Sequence, residues 1–301
     1  MKSTKAAVIQ DAPVLFDLEK TLEKVEGLAM EAAKSDPDII LFPEAFIPAY
    51  PRGISFGTVV GDRTQQGRET WLRYWKNSLE IPGDATGRLG GIAKKAGALL
   101  AIGVVEKGKT GSLYCTLLYF APNGSLIGKH RKLKPTAAER IIWGEGDGSD
   151  LNVHQTEFGK LGGLICWENY MPLARTALYR QGVEIYLAPT ADHRDSWQAT
   201  MRHIACEGRC FVLGCNQILK KSDYPELPGE DLSNYNEIIS RGGSVIVDPF
   251  GDIIAGPLWD ENGILTAVLD PHLIAKAKMD FDAAGHYSRD DVFDFRIRSN
   301  H

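Results

Sequence analysis

The sequence predicts an α/β fold with mixed sheets and helices packed outside them. Short apolar runs of strand length alternate with stretches whose apolar residues recur every three or four positions. Hairpin signals and strand–helix–strand spacings occur in the same chain, which neither a purely parallel nor a purely antiparallel sheet would give. The run DIILF (38–42), set between Pro37 and Pro43, shows no polar alternation and reads as a strand covered on both faces.

In chain order, residues 5–10 read as a strand and 17–34 as a helix, with Leu18, Leu22, Val25, Ala29 and Ala32 on one face. The strand 38–42 follows. Residues 48–67 are rich in glycine and proline and are expected to form a long loop. Helices over 67–79 and 85–97 precede strands at 99–106, 112–121 and 125–129, the last two joined by the hairpin turn Pro122-Asn123-Gly124. Strands at 152–157 and 160–165 meet at Phe158-Gly159. A helix (173–181), a strand (185–188), a helix (196–208) and a strand (211–216) come next, and the polar stretch 220–241 is expected to be irregular. Strands at 243–247, 252–255 and 263–269 complete the sheets. Pro271 then opens a final helix, where its missing N–H costs nothing. No repeat or low-complexity linker divides the 301 residues, so a single domain over 1–301 is expected.

Composition narrows the function. A hydrophobic content of 44% supports a sizeable core, and a net charge of −5 argues against a nucleic-acid partner. No run of about 18 apolar residues occurs, so no membrane-spanning helix is expected. The N-terminal segment lacks the apolar core and cleavage site of a secretory leader, which points to the cytoplasm. The five cysteines (Cys115, Cys166, Cys206, Cys210 and Cys215) are odd in number, and a chain this long needs no disulfide framework; free thiols are expected. Cys206 and Cys210 could share a helix face, but His203 does not complete a zinc set, so no metal is expected.

Three segments put reactive side chains just past apolar strands, where rigid scaffolds present catalytic groups. In DIILFPEAF, Glu44 follows the buried run; desolvation there would raise its pKa towards that of a useful general base. In GKHRKLKPTAAERIIWGEGDGSD, the charged residues His130, Arg131, Lys132, Lys134, Glu139 and Arg140 are interleaved with Leu133, Pro135, Ile141, Ile142 and Trp143. A lysine buried in that mixture could stabilise developing negative charge. The GEGDGSD piece is acidic and lacks calcium-loop spacing, so it reads as a rim loop. In KLGGLICWENYMP, Cys166 leaves a strand where a helix N-terminus is expected, and that dipole end should lower the thiol pKa. Gly162 and Gly163 would allow close backbone approach, and N–H groups after Cys166 could serve an oxyanion. The seven histidines offer no papain-like signature around a partner cysteine, and no GxSxG nucleophile motif occurs.

Together, FPEAFIPAYPRG, GKHRKLKPTAAERIIWGEGDGSD, CWENYMPLAR, PTADHRDSWQATMRHIACEGRCFVL and GHYSRDDVF resemble the nitrilase branch of the carbon–nitrogen hydrolase superfamily, in the family's order and over nearly the whole chain. The resemblance implies a four-layer α-β-β-α sandwich and a catalytic Glu44–Lys132–Cys166 triad, with Glu139 as a second glutamate. The family's lysine stands directly after HR, which selects Lys132 over Lys134. It also implies no cofactor, a small-molecule nitrile as substrate, and a homodimer or larger homo-oligomer, with spirals or filaments in some relatives. A spiral or filament is therefore among the expected assemblies, although many relatives carry a longer tail after the GHYSRDDVF region, which weighs against long filaments. Tyr50, Trp143, Trp167 and His193 are expected around the pocket, and His286 at the rim or an interface.

The expected reaction is nitrile to carboxylic acid and ammonia through a thioimidate and a thioester on Cys166, with amide as a by-product. Two other readings compete: a cyanide-converting enzyme or aliphatic amidase of the same superfamily, and an inactive scaffold of this fold that acts through assembly. Retention of Glu44, Lys132 and Cys166 argues against the scaffold.

Overall fold

The computed structural model of the protein describes residues 3–298. In chain order it contains β1 (Thr4–Gln10), α1 (Leu18–Ala33), β2 (Ile39–Leu41), a small hairpin of β3 (Thr58–Val59) and β4 (Asp62–Arg63), α2 (Gln65–Lys76), α3 (Asp84–Ala96), β5 (Leu99–Lys107), β6 (Leu113–Phe120) and β7 (Leu126–Arg131). There follow β8 (His154–Thr156), β9 (Gly159–Gly163), α4 (Pro172–Arg180), β10 (Ile185–Thr190), α5 (Asp195–Gly208), β11 (Phe211–Asn216), β12 (Ile218–Lys220), β13 (Ile238–Val247), β14 (Ile253–Trp259), β15 (Gly263–Leu269) and α6 (Pro271–Asp280). Two short 3-10 turns, Ala137–Ile141 and Cys166–Tyr170, follow β7 and β9.

Two mixed sheets carry the fold, as the sequence predicts. One runs β15-β1-β2-β5-β6-β7; the other runs β12-β13-β11-β10-β9-β8, with β14 on β13. The central strands β1, β2 and β5 are parallel, as are β9, β10 and β11, and the flanking pairs are antiparallel. The alternation of each strand decides the layers, because successive side chains face opposite ways. In β1, Ala6 and Val8 face the second sheet, where they share a core with Leu161, Leu187 and Leu213. Ala7 and Ile9 face outward against Leu22, Val25 and Ala29 of α1. In β10, Ile185 and Leu187 point inward, while Tyr186 and Ala188 meet Ala177 of α4 and Trp197 of α5. The result is helix, sheet, sheet, helix: the four-layer sandwich.

Local chemistry sets the element ends. The Asp17 side chain caps α1 by accepting the Lys20 N–H at 3.1 Å. Pro271 begins α6, and Asp270 accepts the His272 N–H at 3.0 Å. Two expectations shift. The loop 48–67 contains the β3–β4 hairpin and the first turn of α2, and 220–241 is ordered at both ends. There β12 pairs with an earlier start of β13, which begins at Ile238 rather than 243. Ser240, Arg241, Gly242 and Gly243 interrupt the apolar run over the first half of β13 and hide its strand character in the sequence.

Candidate active site

Strand ends from both sheets converge at one end of the sandwich. Glu44 lies just past β2, pressed against β5. A Cβ on Gly103 would stand 2.3 Å from the Pro43 carbonyl oxygen and 2.6 Å from Glu44 Cα, so only glycine permits this approach. The Phe46 N–H donates to the Gly103 carbonyl at 2.8 Å, and Gln217 Nε2 donates to the Glu44 carbonyl at 2.7 Å. Lys132 follows β7 directly, its N–H donating to the Cys115 carbonyl at 2.8 Å. Glu139 sits in the 3-10 turn after it, and its carboxylate accepts the Thr136 N–H at 2.7 Å.

Cys166 comes from the opposite sheet. Gly163 brings β9 close to β10, where a Cβ would stand 2.2 Å from the Leu187 carbonyl oxygen. The cysteine itself opens a turn at φ 52°, in the left-handed region. That conformation costs a non-glycine residue about 1–2 kcal/mol. The turn is held by Asn169 Nδ2, which donates to the carbonyls of Leu164 at 2.9 Å and Cys166 at 2.8 Å. Thr190, at the end of β10, donates its hydroxyl to Cys166 Sγ at 3.2 Å.

The side chains form one buried chain of charge. Lys132 Nζ donates to Glu44 Oε1 at 2.6 Å and to Glu139 Oε2 at 2.7 Å. Tyr50 donates its hydroxyl to Glu139 Oε1 at 2.8 Å. Glu44 Oε2 has no hydrogen-bond partner among the described residues, and the Cys166 thiol lies within interaction range of that carboxyl. Burial pushes Glu44 up to about 7, against the pull of Lys132 and with a further push from Glu139. Burial opposes the charge on Lys132, but Glu44, Cys166 and Glu139 outweigh it and hold the ammonium well above its usual range.

One expectation is corrected here. The Cys166 thiol is not activated by a helix end: its pKa is raised, first by full burial and then by the neighbouring Glu44 charge. The cysteine begins a short 3-10 turn, and α4 starts only at Pro172. The thiol is therefore protonated at rest and needs a base at the moment of attack.

A cavity of about 190 Å³ opens above the sulfur, lined by Tyr50, Arg52, Thr136, Glu139, Trp167 and His193 among others. Tyr50, Trp167 and His193 thus stand where the sequence places them. Trp143 does not: it is 3% exposed and lies behind the wall, edge-on to Tyr50 at 5.8 Å with Lys132 Nζ 5.8 Å from its ring. Its apolar bulk goes to shielding the lysine rather than to the pocket. His286 is exposed and lies tilted against the Tyr287 ring, 5.2 Å between centroids. Sequence reading missed Thr190, Arg52, Asp192 and Arg194. The segment LAPTADHR has the same strand-then-polar form as the other three and could have flagged Thr190, Asp192 and Arg194; Arg52 lies in the glycine- and proline-rich loop after Glu44. It also weighed His130 only as a partner for a cysteine. In the fold His130 faces Asp150 and Glu168 instead.

Comparison with known proteins agrees with this geometry. The carbon–nitrogen hydrolase family model matches residues 5–279. The chain is 51% identical over 294 residues to an aliphatic nitrilase of Sinorhizobium fredii (strain HH103), covering 97% of this chain and 95% of that one. It is 47% identical over 305 residues to the bifunctional nitrilase/nitrile hydratase NIT4B of Nicotiana tabacum, covering 99% and 87%. In fold it resembles Saccharomyces cerevisiae Nit3, of the nitrilase superfamily, with a TM-score of 0.73 at 22% identity and coverage of 95% and 97%. A carbon–nitrogen hydrolase from Helicobacter pylori G27 gives 0.76 at 20% identity, with 97% of each chain covered. With its sandwich fold, its buried Glu44–Lys132–Glu139 chain beside Cys166 and these relatives, the protein belongs to the carbon–nitrogen hydrolase family, in its nitrilase branch.

Proposed function

We propose that this chain hydrolyses a small organic nitrile to its carboxylic acid and ammonia, with Cys166 as nucleophile, Glu44 as general base, Lys132 as charge stabiliser and Glu139 as the group that holds Lys132. The observation that carries this reading is the Glu44 carboxyl: one oxygen is bound by Lys132, the other has no hydrogen-bond partner among the described residues, and the carboxyl lies within interaction range of the Cys166 thiol that lines the cavity.

Glu44 takes the thiol proton as Sγ attacks the nitrile carbon, and the nitrogen takes up a proton to give the thioimidate. Water, deprotonated by Glu44, adds to the same carbon. Lys132 Nζ and the backbone N–H of Trp167, at the start of its turn, stabilise the charge that develops. The C–N bond breaks as ammonia leaves, giving the thioester. A second water then releases the acid and returns the proton to sulfur. If the C–S bond breaks first, the product is the amide. The name of the tobacco relative, which pairs nitrilase with nitrile hydratase, supports this second exit in the present chain.

The test is replacement of Cys166 by Ala, with folding checked by circular dichroism and ammonia release measured on a nitrile panel. Ammonia should fall to background, and turnover by a folded Cys166→Ala protein would sink the assignment. We also propose self-association, supported by the exposed apolar side chains of Leu173 and Met171 around the start of α4 and by Phe293 near the C-terminus. Sedimentation velocity tests it, with a monomer as the contrary result.

A further inference from the structure

Lys132 and Cys166 reach the site from different sheets, so something must fix the distance between them. Behind the cavity lies a buried polar cluster that the reaction scheme does not use. His130 is 2% exposed, and its Nε2 lies 3.1 Å from both carboxylate oxygens of Glu168, which is 1% exposed. Its Nδ1 lies 3.2 Å from Asp150 Oδ1, while Asp150 Oδ2 accepts the Arg131 N–H at 2.9 Å. Glu168 has two further bonds: it accepts the Ile165 N–H at 2.7 Å and the Leu133 N–H at 2.6 Å. One carboxylate therefore ties the residue just before the nucleophile to the residue just after the lysine.

The cluster is fully matched. A ring nitrogen facing a carboxylate must be a donor, and both ring nitrogens face one, so His130 is an imidazolium between two anions. Burial opposes that charge, but Glu168 and Asp150 raise the group to about 10. A strained residue persists only where its surroundings over-determine it, and Cys166 at φ 52° is such a residue.

We propose that Asp150, His130 and Glu168 are positioning residues that clamp the Cys166 turn to the Lys132 strand, and so set how the tetrahedral intermediate divides between acid and amide. The inference rests on the nitrile reaction above. Ammonia and thiolate leave from the same carbon, and the group protonated in the Glu44–Lys132–Glu139 site is the one that departs. A shift of Sγ against those groups alters which atom receives the proton. The clamp acts on that distance through the Ile165 and Leu133 N–H groups.

The experiment compares Glu168→Gln and Asp150→Asn with the wild type on one nitrile, scoring acid and amide together, with kcat and KM measured separately. The rate of Cys166 alkylation by iodoacetamide, which needs no nitrile turnover, is measured alongside. Molecules that fail to fold make no product, so a purely stabilising role leaves the product ratio of the folded remainder unchanged. Glu168→Gln should raise the amide-to-acid ratio at least about threefold and lower kcat about tenfold with KM nearly constant, as a misplaced nucleophile does. Asp150→Asn, at the outer end of the cluster, covers the case in which Glu168→Gln does not fold, and should move the ratio the same way by about twofold. If the wild type releases no ammonia but the alkylation rate changes in the variants, the clamp stands and the reaction assignment falls. A product ratio and an alkylation rate both equal to wild type per folded molecule would overturn the clamp.

Discussion

Two buried triplets stand side by side at the end of β7, and they are built alike. In one, the Lys132 ammonium sits between Glu44 and Glu139; in the other, the His130 imidazolium sits between Glu168 and Asp150. Each has one positive and two negative groups, and each joins the first sheet to a neighbouring turn. They differ in closure. Glu168 has donors on both oxygens, from the Ile165 and Leu133 N–H groups and from His130. Glu44 leaves Oε2 unpartnered among the described residues, in a carboxyl that interacts with the Cys166 thiol. A closed triplet fixes one arrangement and takes no proton itself; it reaches the reaction only through the position it gives Cys166. An open one carries an unsatisfied acceptor, which is costly in the resting protein and useful only when a proton arrives. The same charge pattern thus serves positioning in one place and proton transfer in the other, and the balance between lost activity and lost stability should differ between the two.

The sharpest way to break this comparison is Glu44→Gln. The amide oxygen can still accept from Lys132, so the melting temperature should stay within a few degrees, whereas kcat/KM should fall by about 10³ or more through loss of the base and of charge balance. A rate within tenfold of wild type would mean that the open oxygen is not the base. The mirror experiment is His130→Gln. Here the larger loss should appear in stability, about 3 kcal/mol in urea unfolding, because the buried Glu168 and the partly exposed Asp150 lose their shared cation. Equal losses of activity and stability in both variants would erase the distinction between the triplets.

Much of the open triplet was legible in the sequence and almost none of the closed one. Glu44 and Cys166 each follow an apolar run and so mark themselves locally, whereas Lys132 stands in the charged run GKHRKLK and was selected over Lys134 by resemblance. Glu139 lies seven residues from its partner and was reachable by resemblance. His130, Asp150 and Glu168 are ordinary polar residues in polar surroundings; only the packing of β7 against the turn after β9 brings them together. Trp143 failed for a similar reason. An aromatic residue near catalytic residues in sequence can face either way, and here Tyr50 stands between it and the cavity. The layers were easier, because strand alternation is a local signal, while β12 was missed because it is only three residues long, Ile218–Lys220.

A smaller effect sharpens the electrostatics of the open triplet. Glu44 must be ionised to accept the thiol proton, so kcat/KM should fall as pH drops through about 7, where burial sets its pKa. The Glu139 charge contributes to that rise. Replacing it with a neutral amide in Glu139→Gln removes the repulsion and leaves Lys132 to Glu44 alone, so both changes favour the carboxylate. The acidic limb of the pH–rate profile should therefore move to lower pH. A limb that stays in place, or moves up, would show that the titrating group is not Glu44.

The smallest change is Tyr50→Phe. The hydroxyl donates to Glu139 at 2.8 Å and is held neutral by burial. Removing it deletes one bond to a carboxylate that Lys132 and the Thr136 N–H still hold, so Glu139 should keep its place. The phenyl ring also keeps its edge contact with Trp143. The loss should then be that of one hydrogen bond to a charged group, about 1.5–3 kcal/mol at most, or a factor of roughly ten to a hundred in kcat/KM. Because Tyr50 also lines the cavity, the split is informative. A fall in kcat alone places its role with Glu139 and the lysine, whereas a rise in KM alone places it with the substrate. If Glu139 needs all three donors to hold Lys132, Tyr50→Phe should also shift the acidic limb in the direction given by Glu139→Gln, and an unmoved limb would confine the tyrosine to the pocket wall.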